Sequence, residues 1–216
     1  MAYRVKDSIF RKKESMNLPN KITTFRMACV FVIVFLLLFP WAQCGIVMPE
    51  IFNGVSLEYF ISFFIFIIAS FSDFLDGHIA RKYNLVTTYG KFMDPIADKL
   101  LVDSLLIILA SSHIETKIPL IVVVIMIARD LVVDAVKLIA ASKNKIVAAN
   151  IWGKLKTVAQ MVAISFVLLN DFPFSYFDGP VNISVILCYI AGLFSLLSMV
   201  VYIIQNKEVF KDEKSN

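Results

Sequence analysis

Cysteine, histidine and charge are all scarce in this 216-residue chain, and each scarcity narrows what it can be. The three cysteines, Cys29, Cys44 and Cys188, lie in or beside apolar runs without the paired spacing of a metal knuckle or a disulfide framework. They read as packing residues. His78 and His113 have no partner at metal-ligand spacing and read as incidental. Charged residues make up only 18% of the chain against 59% apolar, with 7 Gly and 7 Pro, a balance far outside that of soluble domains. Internal repeats and low-complexity tracts are absent.

What remains is apolar and comes in runs of about 20 residues, the length that crosses a hydrocarbon core. Such runs are too many to be buried helices of a soluble core, so the chain belongs in a bilayer, where only a helical bundle or a closed barrel satisfies its backbone. A barrel would show short alternating segments; Val30 to Phe39 and Ile118 to Ile127 are continuously apolar, which selects the bundle. Hydropathy predicts six spans, at 22 to 41, 57 to 76, 94 to 112, 118 to 141, 152 to 170 and 181 to 204. The first follows a basic stretch, lacks a small-residue cleavage site and is expected to be retained. The expected fold is an all-α integral membrane protein: a basic juxtamembrane segment 1–20, one six-helix domain 21–206 and a tail 207–216.

Lysine and arginine set the expected orientation. Seven lie from Arg4 to Arg26, four (Arg81, Lys82, Lys91, Lys99) surround the second connection, four (Lys143, Lys145, Lys154, Lys156) the fourth, and three follow the last span. The first and fifth connections have none, and the third has only Lys117. The positive-inside rule puts both termini and the second and fourth connections in the cytoplasm. Residues 1 to 15 carry apolar Val5, Ile9 and Phe10, spaced for a helical face on an anionic membrane surface; a solvated tail is the plainer reading, and both stay open. Trp41 and Tyr59 fall where an outer aromatic belt would be.

Charges inside spans are costly and default to function. Asp73 and Asp76 close span two, three apart on one helical face, and Asp94 and Asp98 open span three, four apart on another. Because the two spans run in opposite directions, all four carboxylates reach one cytoplasmic depth. Together they repel and lose solvation unless hard, oxygen-preferring cations such as Mg2+ or Mn2+ neutralise them. Between them, Gly77, Ala80 and Gly90 leave room for a bulky ligand to approach the backbone, and Arg81 offers a fork suited to phosphate.

The spacing Asp73-x2-Asp76-Gly77-x2-Ala80-Arg81-x8-Gly90-x3-Asp94-x3-Asp98 resembles the signature of the CDP-alcohol phosphatidyltransferase family at every position. The resemblance implies six spans, an N-terminal juxtamembrane amphipathic helix, a homodimer and a two-metal site. In that site Asp73, Asp76 and Asp94 would be ligands, and Asp98 both a ligand and the general base. It implies CDP-diacylglycerol as donor: the acceptor alcohol attacks the phosphorus carrying diacylglycerol, Asp98 takes its proton, and CMP leaves. Gly77, Ala80, Arg81, Thr87 and Gly90 would line the CDP site with Asp73. Pro19, Asn20 and Thr23 of the L-P-N-x-x-T-x-x-R stretch would close it near span one.

Span four carries Arg129, Asp130, Asp134 and Lys137, with Arg129, Val133 and Lys137 on one face; span five opens Trp152-Gly153-Lys154-Leu155-Lys156-Thr157. A second basic pocket there suits an acceptor bearing its own phosphate. Local ion pairs with Asp130 and Asp134, or membrane anchoring by Lys154 and Lys156, are the plainer readings. The I-A-R-D and W-G-K-L-K-T stretches are similar to those of the bacterial branch that makes phosphatidylglycerophosphate from sn-glycerol 3-phosphate. Asp130 stands where that branch usually has Glu, and Lys137 where some members have Arg. The resemblance implies an enzyme of phospholipid biosynthesis in a bacterial cell membrane, its active site facing the cytoplasm, with no nucleic-acid partner. Inositol phosphate and serine are the alternative acceptors. Cation transport is the rival from another class, opposed by the nearly all-apolar outer halves of the spans.

Overall fold

The structure, a computed structural model, describes the backbone of residues 18–52, 54–82, 88–111, 118–143, 151–174 and 182–207, with all their side chains except those of 18–19, 73–82, 88–89 and 91. The expected juxtamembrane segment 1–15, Thr87 and the tail beyond 207 lie outside the described residues. Nearly all of the described chain is helical: α1 (Leu18–Leu38), α2 (Leu57–Lys82), α3 (Thr88–Ser111), α4 (Leu120–Ser142), α5 (Ile151–Leu168) and α6 (Ile183–Gln205).

Among the described residues three segments, Asn20–Leu38, Ile151–Leu168 and Ile183–Gln205, are long and apolar enough to cross a membrane. In α2 the apolar stretch covers Leu57–Ser72. The apolar course of α3 is interrupted by Asp94, Asp98, Lys99 and Asp103, and that of α4 by Arg129, Asp130, Asp134 and Lys137. Those interruptions are the candidate functional groups. The outward helix faces are oily, with Phe31 68% and Leu138 72% exposed, a surface that lipid covers and water does not tolerate.

Two sets of neighbours make the bundle. α1 lies along α2 and α3, and α6 along α4 and α5. Ile33, Phe66, Leu105, Leu109, Met126, Ile164 and Ala191 join the two sets in one buried core. At Gly192 of α6 a Cβ would stand 3.2 Å from Val122 Cγ1 of α4, so the missing side chain lets these two helices pack closely there.

Helix ends differ from the hydropathy expectation for local reasons. α1 stops at Leu38, short of the expected 41, because Pro40 cannot continue a helix and turns Phe39 out of it. Trp41 then folds back, donating Nε1–H to the Leu36 carbonyl at 2.9 Å, and its ring packs on Phe39. A short antiparallel hairpin follows, β1 (Glu50–Phe52) and β2 (Val55–Ser56), which the all-α expectation did not include. Gly54 sits there at φ +76, a conformation open to glycine.

Phe52 packs against Phe60 of α2 and Phe172 beyond α5, so the α1–α2 hairpin covers the α5–α6 connection. In that connection Asn170 and Asp171 adopt φ 49 and 61, the left-handed conformation that Asn and Asp tolerate best after glycine. The Asp171 carboxylate, 5% exposed, accepts the Ser184 backbone N–H at 2.6 Å and so caps α6. α2 runs on to Lys82, past the expected 76, and α3 starts at Thr88, before the expected 94. Gly77, Ala80 and Arg81, expected in a connection, therefore belong to α2, and Gly90 to the first turn of α3.

Candidate active site

The carboxylate end is organised by α3. Asp94 and Asp98 stand one turn apart, both half-buried, with Pro95 between them. Pro95 has no N–H, so the Lys91 carbonyl, four residues back, has no helical donor at that step. From α1, the Thr23 hydroxyl donates to Asp94 Oδ1 at 2.5 Å. Thr23 is 1% exposed, Arg26 on the next turn is fully buried, and Asn20 on the preceding turn is half-buried. α1 thus turns a polar face onto α3, and its CDP-site candidate Thr23 touches the expected metal ligand itself.

The α2 backbone places Asp73 and Asp76 three residues apart near its C-terminal end. Their side chains, and those of Pro19, Ala80 and Arg81, lie outside the described residues. Gly90 is buried one turn before Asp94. Among the described side chains no three metal-ligating groups converge. Asp94 and Asp98 supply hard carboxylate oxygens, the ligand type that divalent magnesium or manganese takes. Thr23 holds one oxygen of Asp94 in place, as supporting groups around metal ligands do.

The basic end is assembled by α4, α5 and α6. Asp130 lies between two cations: Oδ1 accepts from Arg129 Nη1 at 2.7 Å, and Oδ2 from Lys156 Nζ at 2.8 Å. Arg129 Nη2 donates to Ser198 Oγ of α6, also at 2.7 Å. The Lys156 side chain is 6% exposed and that of Arg129 12%, so this is a nearly dry network with one more cation than anion. Lys137 and Lys154 stay apart from it. Lys137 is exposed and reaches Asp134 at 3.8 Å, while Lys154 lies on an open, apolar stretch of α5 with Ile151, Trp152, Leu155 and Val158.

One pairing and two residues escaped the sequence reading. Asp134 also pairs with Lys99, tying α4 to the carboxylate helix. Asp103 of α3 lies within electrostatic reach of Asp98 on one side and of Asp130 and Lys156 on the other. An acidic residue one turn beyond Lys99 in an otherwise apolar run was a signal available in the sequence. Ser198 had none, because serine is unremarkable in a membrane helix and its partner is 69 residues away.

A family model described as CDP-alcohol phosphatidyltransferase matches residues 16–204. A Bacillus subtilis protein named CDP-diacylglycerol--glycerol-3-phosphate 3-phosphatidyltransferase is 39% identical over 197 residues, covering 90% of this chain and 97% of its own. Proteins of the same name from Mycoplasma genitalium and Salmonella paratyphi A are 33% and 32% identical, covering 93% and 87% of this chain and 86% and 93% of their own. With the carboxylate-bearing helix, the polar face of α1 and the buried basic network all inside the matched region, the chain belongs to the CDP-alcohol phosphatidyltransferase family.

Proposed function

We propose that this chain transfers a phosphatidyl group from CDP-diacylglycerol to sn-glycerol 3-phosphate, forming phosphatidylglycerophosphate and CMP. The names of its relatives support the reaction, and one structural observation carries the reading. α3 bears the carboxylates on the same helix whose Lys99 pairs with Asp134 of α4, one turn from Asp130, which Arg129 and Lys156 hold. A base for the acceptor hydroxyl and a cationic seat for the acceptor phosphate are therefore held on adjoining helices.

Asp73, Asp76, Asp94 and Asp98 would hold two divalent cations, Mg2+ or Mn2+, whose charge offsets that of the pyrophosphate and of departing CMP. Thr23 keeps Asp94 turned toward that duty. Asp98 accepts the proton of the acceptor hydroxyl as its oxygen attacks phosphorus. Arg129 and Lys156 receive the acceptor phosphate, Arg129 with the planar fork that suits phosphate oxygens. Lys137 and Lys154, exposed, draw the anion in by longer-range attraction. Gly77, Ala80, Arg81, Thr87 and Gly90, with Asn20 and Pro19, make the CDP site.

Six helices of this chain cross a bacterial cell membrane in this reading, with the site facing the cytoplasm, where the lysines and arginines flank it. The Arg129, Asp130 and Lys156 charges then turn inward and not toward lipid. Two chains associate as a homodimer. The test is CMP release from CDP-diacylglycerol in detergent, with sn-glycerol 3-phosphate, inositol phosphate or serine offered separately, with and without chelator. Release with sn-glycerol 3-phosphate and divalent metal alone is expected; equal release with another acceptor, or in chelator, would overturn the reading.

A further inference from the structure

Arg129 is held from two helices. On α4 it is bound by its neighbour Asp130, which constrains Nη1. The other terminal nitrogen, Nη2, is held by Ser198 of α6 at 2.7 Å. Ser198 is fully buried and belongs to a polar row, Ser195, Ser198 and Tyr202, that α6 turns into the protein along a single face. Beside this hydrogen bond stands Gly153 of α5: a Cβ there would come 3.4 Å from Arg129 Nη2 and 3.7 Å from Ser198 Oγ. The side-chain-free position leaves room for the guanidinium end and the serine hydroxyl to meet.

A fork that must meet a phosphate with two parallel hydrogen bonds tolerates little rotation. We propose that Ser198 is a positioning residue for the acceptor site: its hydroxyl orients Arg129 toward the phosphate monoester of the acceptor. This rests on the reading that Arg129 binds that phosphate. Ser198 touches no reacting atom. It acts through Arg129, so its effect falls on the acceptor KM and leaves kcat and the KM for CDP-diacylglycerol in place.

The experiment compares Ser198→Ala and Ser198→Cys, the latter near in volume but a weak hydrogen-bond acceptor, in the full-length enzyme purified in detergent. Each is expected to raise the KM for sn-glycerol 3-phosphate about tenfold, the scale of a hydrogen bond to a charged group, with kcat held. In an Arg129→Gln background the same changes should add nothing. An unchanged acceptor KM in both serine variants, while Arg129→Gln raises it, overturns the positioning role and leaves the acceptor reading standing. If Arg129→Gln also leaves that KM unchanged, the acceptor reading falls first. An equal penalty with and without Arg129 would mean that Ser198 acts by packing, and overturns the proposal.

Discussion

The carboxylates of α3 are half-buried and reachable, whereas the charges shared by α4 and α5 are almost dry and already paired with one another. In the first group Asp94 accepts from the Thr23 hydroxyl; in the second, one carboxylate, Asp130, is shared between Arg129 and Lys156. The contrast separates two ways of carrying charge in a membrane protein. Like charges can gather where water and metal reach them, and opposite charges can be buried where each satisfies the other. The proposed reaction, in which a phosphatidyl group passes from a pyrophosphate donor to a small phosphorylated alcohol as CMP leaves, would use both kinds of place.

Substitutions can test how sharply the two regions divide the work. The largest effect is expected for Asp98→Asn, which removes the proton acceptor of the proposed reaction. CMP release should fall by about a thousandfold while the protein stays folded, measured as turnover beside a thermal melt. Near-normal turnover would end its role as base. Asp130→Ala should do the opposite, leaving Arg129 and Lys156 as buried cations without their anion. A loss of about 3 kcal/mol of stability is expected by unfolding in detergent, and an unshifted melt would show that the network is not dry.

Next in size, Thr23→Val keeps the volume but frees Asp94 Oδ1. The divalent-metal concentration for half-maximal activity should rise about tenfold, with the acceptor KM unchanged. A shift in acceptor KM instead would blur the division between the two regions. Asp171→Ala, at the far end of the molecule, removes the α6 cap and should cost about 1 kcal/mol of stability, with the acceptor KM held. The smallest effect is expected for Lys137→Gln: an exposed cation outside the buried network should change the acceptor KM by less than about twofold, and by less still at high salt.

The carboxylate region was legible in the sequence because its information is local. Asp94 and Asp98 are one helical turn apart in any helix that contains them, and the same holds for Asp73 and Asp76. The basic region was legible only as a list of residues. Helical spacing grouped Arg129 with Lys137; the structure forms the local pairs Arg129–Asp130 and Lys137–Asp134 that the plainer reading named, and adds Ser198 and Lys156 from other helices. Spacing along one helix says which groups share a face; it does not say what the neighbouring helices bring to that face. The β1–β2 hairpin went unread because its strands are so short that no alternation can develop, although an Asn-Gly pair between apolar residues is a turn signal in its own right. Gly77, Ala80 and Arg81 were placed in a connection because hydropathy ends a span where charge begins, while helical hydrogen bonding continues past that point.

Membrane residence, six helical segments and the order of the acidic motif follow from the sequence by itself, since apolar length and helical periodicity are properties of contiguous residues. Only the tertiary structure decided which distant groups complete each region. Thr23 meets Asp94 across 71 residues, Ser198 meets Arg129 across 69, and Lys156 meets Asp130 across 26. Such pairings are set by which helix faces pack together, and they hold because a polar group buried in an apolar bundle is stable only beside a partner.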